Sequence, residues 1–170
     1  MNTQTATQTH DAAASRPNSQ AEARGVSQFV SLKVGNENYA IDILAVREIT
    51  GWTSITVLPN QPEHVLGVLN LRGAIVPVFD LRCRFGQGLT ETTAMHVIIV
   101  VKVLERTIGI LVDAVSDIIT VNAGDIMPVP EMDRTVSIEY LSGIVSVNDS
   151  TVVIVCLEKL FSSDEGHGLP

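Results

Sequence analysis

Apolar and polar residues alternate over long stretches of the chain. Val30, Leu32 and Val34 are separated by Ser31 and Lys33, the period of a half-buried strand. Gly35-Asn36-Glu37-Asn38 supplies turn residues, and Tyr39, Ile41 and Ile43 resume the alternation, so a hairpin is expected. Ala74 to Leu81 reads as a further strand, with Pro77 marking an edge strand or a bulge. Val97 to Leu104 is nearly all β-branched or Leu, as in a strand covered on both faces. Helix signals are scarce. The best is Asp80 to Gly86, where Asp80 caps one or two turns and Gly86 ends them.

The pattern occurs twice. Residues 29–59 align with 98–128 without a gap, so that Lys33 meets Lys102, Ala45-Val46 meets Ala114-Val115 and Ile49 meets Ile118. After a longer connection in the second copy, 67–85 align with 143–161, Gly67 meeting Gly143, Leu81 meeting Leu157 and Phe85 meeting Phe161. In both copies the apolar spacing changes from two to three, at Ile41, Ile43, Val46, Ile49 and at Ile110, Val112, Val115, Ile118. A strand does this at a bulge, the device that curls a short sheet into a barrel. Each half, about 28–90 and 97–161, is too small to be stable alone, so two packed β-barrels sharing a core are expected. The fold class is mainly all-β.

Residues 1–27 are mostly Thr, Gln, Ala, Ser and Asn and are expected to form a disordered tail; 162–170 form a shorter one. The folded part is therefore 28–161. Eleven Lys and Arg against 19 Asp and Glu give a net charge of -8, which argues against a phosphate-tracking nucleic-acid binder and against a polybasic membrane-surface protein. Aromatics at 4% are too few to pave a base-stacking groove. The N-terminus lacks the apolar segment of a secretory signal, and the apolar run Val97 to Val101 is too short to cross a bilayer, so a cytoplasmic location is expected. Cys83 and Cys156 show no disulfide-framework spacing, in keeping with a reducing compartment.

Chemistry-bearing patterns are sparse. His10, His64, His96 and His167 are scattered, and none stands at metal-ligand spacing. Gly86-Gln87-Gly88 lacks the third glycine of a phosphate cradle and reads as a loop hinge. Asp113 and Asp117 are four apart, which in a β context places nothing on a common face. Cys83 lies between Arg82 and Arg84, a setting that can lower a thiol pKa, but without a neighbouring His a partly buried structural thiol is the favoured reading. No cofactor is expected, and nothing argues for an enzyme. The repeat acts as an internal control: Arg72 faces Asn148 and Arg47 faces Ser116, so these polar differences are not demanded by a shared fold. Arg72, in the Gly-ended loop Asn70-Leu71-Arg72-Gly73, is held out where it can pair with a partner's carboxylate.

At GVLNLRGAIVPVFDL (67–81) the sequence resembles the chemotaxis coupling protein family, CheW. The strings FVSLKVGNENYAIDILAVREI (29–49), LPNQPEHVLG (58–67), GILVDAVSDI (109–118) and IEYLSGIVSVNDSTVVIVCLEKLF (138–161) follow the same family pattern in order. The resemblance implies two five-stranded SH3-like barrels about a shared core. It also implies a non-catalytic adaptor between chemoreceptor cytoplasmic tips and the regulatory domain of the histidine kinase CheA, recruited through those partners, and with other CheW-like barrels, into membrane receptor arrays. Carried over by position, the receptor-facing set would be Val46, Glu48, Gly67 and Arg72, and the kinase-facing surface would lie near Gly35, Asn36, Tyr39 and Ile41. Gly67 has a structural reading too, since Gly143 repeats it. Cys156, where the first half has Asp80, departs from the family's usual acidic or amide residue at a helix cap. The alternatives are a small-ligand or oligonucleotide-binding barrel, which would need the basic or aromatic face that the composition lacks, and a CheW-like adaptor of a pathway other than chemotaxis.

Overall fold

A computed structural model describes residues 25–131 and 138–162. Ten strands follow one another: β1 (Val26–Val34), β2 (Glu37–Asp42), β3 (Val46–Gly51), β4 (Val65–Leu71), β5 (Ala74–Asp80), β6 (Val97–Val103), β7 (Arg106–Val112), β8 (Ala114–Asn122), β9 (Leu141–Val147) and β10 (Ser150–Val155). Two short helices, α1 (Leu81–Arg84) and α2 (Leu157–Phe161), follow β5 and β10. The strands form two five-stranded sheets, in the orders β8-β1-β2-β10-β9 and β3-β6-β7-β5-β4.

The repeat is present, but neither sheet is one half of the sequence. The hairpin β1–β2 of the first half completes the sheet made by β8, β9 and β10, and β6–β7 of the second half completes the sheet of β3, β4 and β5. The expectation of one barrel per half is corrected here. The cause lies at the corners. Three residues, the 3-10 turn Ile43–Ala45, separate β2 from β3, and one residue separates β7 from β8, so each hairpin leads directly into the opposite sheet. Hydropathy cannot reveal this exchange, because both copies offer the hairpin the same edge.

The change of apolar spacing does mark bulges. Between Val46/Val101 and Glu48/Val100 the extra residue is Arg47, and the matching irregularity in the β1–β8 ladder falls between Ile118 and Val115. A second matched pair of bulges falls between Val65 and Gly67 and between Leu141 and Gly143. Pro77, by contrast, lies in an internal strand, since β5 pairs with both β4 and β7. It is tolerated because the ladder to β7 starts at Val78, one residue past the position that lacks an N–H. In the other sheet the equivalent parallel ladder already pairs Val152 and Val153.

Three apolar clusters result. The largest lies between the sheets and includes Leu32, Tyr39, Ile41, Phe79, Phe85 and Leu160. A second, with Phe29, Ile119, Val145 and Ile154, fills one sheet, and a third, with Leu69, Val78, Ile98 and Leu111, fills the other. β6 serves two of them: Ile99 and Val101 face the shared cluster while Ile98 and Val100 face their own sheet, which explains its unbroken apolar run. The arrangement fits the expected pair of barrels around a common core.

Asp80 caps α1, accepting from the Cys83 N–H at 3.3 Å, and Gly86, at φ 74°, follows its end. The tail boundary moves: Val26 and Ser27 belong to β1 and pair with Asn122 and Val121. Their pairing is by backbone, which a hydropathy pattern does not show. Ser162 ends α2. The rest of both expected tails lies outside the described residues.

Candidate functional site

The β4–β5 connection is a two-residue turn in which Arg72 and Gly73 both adopt positive φ, 52° and 86°. Gly73 suits such a position; Arg does not, since its Cβ crowds the backbone there. The turn is braced by Asn70, whose Oδ1 accepts the Gly73 N–H at 2.9 Å. Arg72 is thus lifted from the surface, its side chain 78% exposed, and its Nη2 donates to Glu48 Oε1 at 2.9 Å. Glu48 lies on β3, at the far end of the strand order from β4, so this contact forms only because the sheet curls on itself. The repeat-related positions are Asp117 and Asn148, an acid and an amide, which form no ion pair of this kind.

Val46, two residues before Glu48, is half-buried against the shared cluster. Gly67 is buried, with φ 147°, and a Cβ there would collide with the carbonyl oxygen of Thr56. Gly143 sits likewise beneath Met127, and the bridges Thr56–Val68 and Met127–Ile144 are the matching straps. The structure therefore accounts for Gly67 by close backbone approach in both copies. It brings Glu48 and Arg72 into contact, leaves Val46 two residues before Glu48 on β3, and puts Gly67 under a strap.

The kinase-facing set divides. Gly35, at φ 60°, and the exposed Asn36 form the β1–β2 turn. Tyr39 and Ile41 are 1% and 0% exposed, in the shared core, and cannot be contact residues. The alternation of β2 is as expected, but its apolar face turns inward to the second sheet. Only the Tyr39 hydroxyl reaches polar groups, donating to Glu37 Oε2 at 2.5 Å.

Cys83 carries no activated thiol. Burial pushes its pKa up, and the Asp80 and Glu63 carboxylates add to the shift. The flanking arginines are engaged elsewhere: Arg82 Nε donates to the Gln87 carbonyl at 3.2 Å and Arg84 Nη2 to the Leu160 carbonyl at 2.7 Å. Among the described residues no group of three or more His, Cys, Asp or Glu could hold a metal ion, and no helix is long and apolar enough to cross a membrane. An open groove of about 550 Å³ runs between the sheets, walled by Phe29, Leu44, Ala45, Val103, Ile126 and Leu157. Its walls come from both sheets and mix these apolar side chains with Asp42, Lys102 and Glu158.

Sequence reasoning missed one polar cluster. Asp113, at the corner between β7 and β8, accepts the Gly35 N–H and contacts His96. These residues lie far apart in sequence, and no local spacing announces them.

A double-sheet module with a braced, charged turn, a groove of mixed polarity and no activated thiol fits an interaction protein. Comparison with known proteins agrees. The family model described as CheW-like domain matches residues 28–165. The probable chemotaxis protein CheW of Rhizobium etli is 40% identical over 144 residues, covering 85% of this chain and 93% of that protein. The chemotaxis protein CheW of Rhizobium meliloti is 41% identical over 141 residues, covering 83% and 91%. The crystal structure of the scaffolding protein TtCheW from Thermoanaerobacter tengcongensis matches with a TM-score of 0.73 and 32% identity, over 91% of this chain and 94% of that one. The chain belongs to the CheW-like family, and it is a non-catalytic chemotaxis scaffold.

Proposed function

We propose that this scaffold couples the cytoplasmic tips of chemoreceptors to the regulatory domain of the histidine kinase CheA, and is recruited by them to membrane receptor arrays from the cytoplasm. The observation that carries the reading is Arg72, an exposed cation held at positive φ and aimed by Glu48. The hairpin turn imposes this φ, as it does on Asn148 in the other copy, and here the turn lifts a cation clear of the surface. Val46, Glu48 and Arg72 form the receptor-facing surface, with Gly67 setting the backbone beneath. The half-buried Val46 offers an apolar contact, while the ion pair fixes the orientation of an incoming helix. The kinase faces the turn at Gly35 and Asn36. Coupling of about 1–3 kcal/mol between the two contacts is enough to shift kinase activity several-fold or more.

The test is autophosphorylation of the kinase on receptor-containing membranes, with and without the scaffold. The wild type switches the kinase on and attractant switches it off. Arg72→Glu loses this coupling and stays folded, because the Arg72 side chain is exposed and belongs to none of the apolar clusters. The double exchange Glu48→Arg with Arg72→Glu restores the internal pair with its polarity reversed and remains uncoupled. Normal coupling by Arg72→Glu would remove Arg72 from the receptor-facing surface.

A further inference from the structure

Deepening the proposed kinase contact, and resting on that reading, we infer that Asp113, oriented by His96, is a positioning residue that fixes the tip of the β1–β2 hairpin for the kinase. The tip is gripped at two backbone points. Asp113 Oδ2 accepts the Gly35 N–H at 2.5 Å, and the Asp113 N–H donates to the Lys33 carbonyl at 3.0 Å. The other carboxylate oxygen, Oδ1, lies 3.0 Å from His96 Nε2. His96 Nδ1 accepts the Thr93 N–H at 3.0 Å, so in the neutral ring the proton sits on Nε2 and is donated to Asp113. The imidazole side chain is 13% exposed and the Asp113 side chain 28%, so the pair is partly shielded from water.

A second brace holds the other side of the tip. Gln87 Nε2 donates to the Tyr39 hydroxyl at 3.4 Å, and that hydroxyl donates to Glu37 Oε2. The Gln87 Oε1 atom lies 3.0 Å from where a Cβ on residue 35 would be, so the glycine and its neighbour are fitted to each other. Two braces come from the loop after α1 and the segment before β6, attached to the opposite sheet, and the third from the β7–β8 corner, where the chain passes from that sheet into the one holding β1 and β2.

The repeat shows that the fold does not require this clasp. In the equivalent β6–β7 hairpin the tip is Leu104-Glu105, and the positions matching Asp113 and His96 are Leu44 and Ser27. The Leu44 side chain can accept no hydrogen bond and the residue is 64% exposed, yet that hairpin forms all the same. What the clasp adds is a fixed tip with Asn36 presented outward, and a surface ordered before binding avoids the entropy loss of ordering it in the complex.

The experiment measures binding of the full chain to the isolated CheA regulatory domain and, separately, to receptor-containing membranes. Asp113→Ala is expected to weaken the kinase domain about ten-fold with receptor binding unchanged, and Asp113→Asn, which keeps an acceptor for Gly35, recovers part of the loss. In a ¹H–¹⁵N spectrum the Gly35 amide proton, downfield in the wild type because of its short bond to a carboxylate, moves upfield in Asp113→Ala. Should Asp113→Ala fail to fold, His96→Ala carries the same test with an expected loss of about three-fold. Wild-type kinase binding that the folded Asp113→Ala or His96→Ala variant retains in full overturns the positioning role and leaves the adaptor reading intact. Equal loss of kinase and receptor binding by a folded variant also overturns it. Absence of kinase binding by the wild type overturns the adaptor reading and this inference together.

Discussion

The sheet β3-β6-β7-β5-β4 and its counterpart β8-β1-β2-β10-β9 share their architecture down to single residues. Both carry a bulge opposite the hairpin exchanged from the other half, and both cross over in the same parallel register, Val78 opposite Gly109 and Ile154 opposite Ala40. Both seat a strap on a glycine, Gly67 or Gly143. They differ at the ends of elements. Arg72 replaces Asn148 in one turn, Asp80 replaces Cys156 at one helix cap, and Asp113 replaces Leu44 at one corner. The paired positions hold the strands in register; of the divergent ones, Asp80 is buried as a cap, while Arg72 and Asp113 place charge at turns of one side only. A duplicated fold thus separates, within one molecule, positions that both copies require from positions that each copy is free to vary.

The glycine straps give the largest expected effect. Gly67→Ala sets a Cβ against a backbone carbonyl at a φ that favours glycine, and should cost about 3–4 kcal/mol. In Gly143→Ala the Cβ meets the Ile126 methyl at 2.5 Å and the Met127 carbonyl oxygen at 2.9 Å, and a methyl can move. That variant should lose about 2 kcal/mol. Urea unfolding of the two variants ranks them; a larger loss in Gly143→Ala would show that backbone clash does not set the order.

The helix caps come next and should respond with opposite sign. Asp80 is fully buried and accepts from the Cys83 N–H, the Thr90 N–H and the Thr90 hydroxyl, the last two at 2.7 Å. Asp80→Ala strands three donors and should cost about 2–3 kcal/mol. Cys156 caps α2 without any side-chain hydrogen bond and is half-buried, so Cys156→Asp supplies a missing acceptor and should gain about 0.5–1 kcal/mol. Thermal unfolding of both variants tests the pair; a loss in Cys156→Asp would mean that desolvation of the new carboxylate outweighs the cap.

The strands, the bulges and the α1 cap were legible because each leaves a local mark: alternation in β1 and β2, a spacing of three at Val46 and Val115, Asp80 ahead of Leu81. The exchange of hairpins left none, since the two copies present near-identical edges and only the three-residue corner at Ile43–Ala45 directs the chain across. Tyr39 and Ile41 were placed outside for the same reason: alternation tells which residues share a face, not which face meets a second sheet. The Glu48–Arg72 contact and the Asp113–His96–Gly35 clasp join residues distant in sequence, and short-range spacing carries no signal for either. The contrast of Arg72 with Asn148 did single out a turn whose cation forms an ion pair, because a repeat compares two answers to the same steric problem.

The hairpin tips sharpen the comparison at smaller energy. Leu104 and Glu105 both sit at positive φ, 48° and 63°, where Gly35 and the pair Asn148-Asp149 occupy the related turns. Neither Leu nor Glu suits that backbone, so Leu104→Asn and Glu105→Gly should each gain about 0.5–1 kcal/mol. The gain is read as a higher urea midpoint, and no gain in either variant would show that the turn is not strained.

The smallest effect concerns the two thiols. Cys83 is flanked by Arg82 and Arg84, which by sequence would stabilise a thiolate, yet both cations are turned to carbonyl oxygens and the thiol faces burial first, then Asp80 and Glu63. Its folded pKa is therefore above the ordinary 9.0. The folded chain keeps this proton to higher pH than the unfolded chain does. The stabilising contribution is thus fully present below pH 9.0 and is lost as pH rises through the folded value. In a Cys156→Ser background, iodoacetamide at pH 8 should modify Cys83 several-fold more slowly than the same thiol in urea. Replacing Cys83 by Ser should flatten the alkaline fall in stability. Alkylation of folded Cys83 as fast as the unfolded thiol would mean that the arginines, and not burial and the carboxylates, govern it.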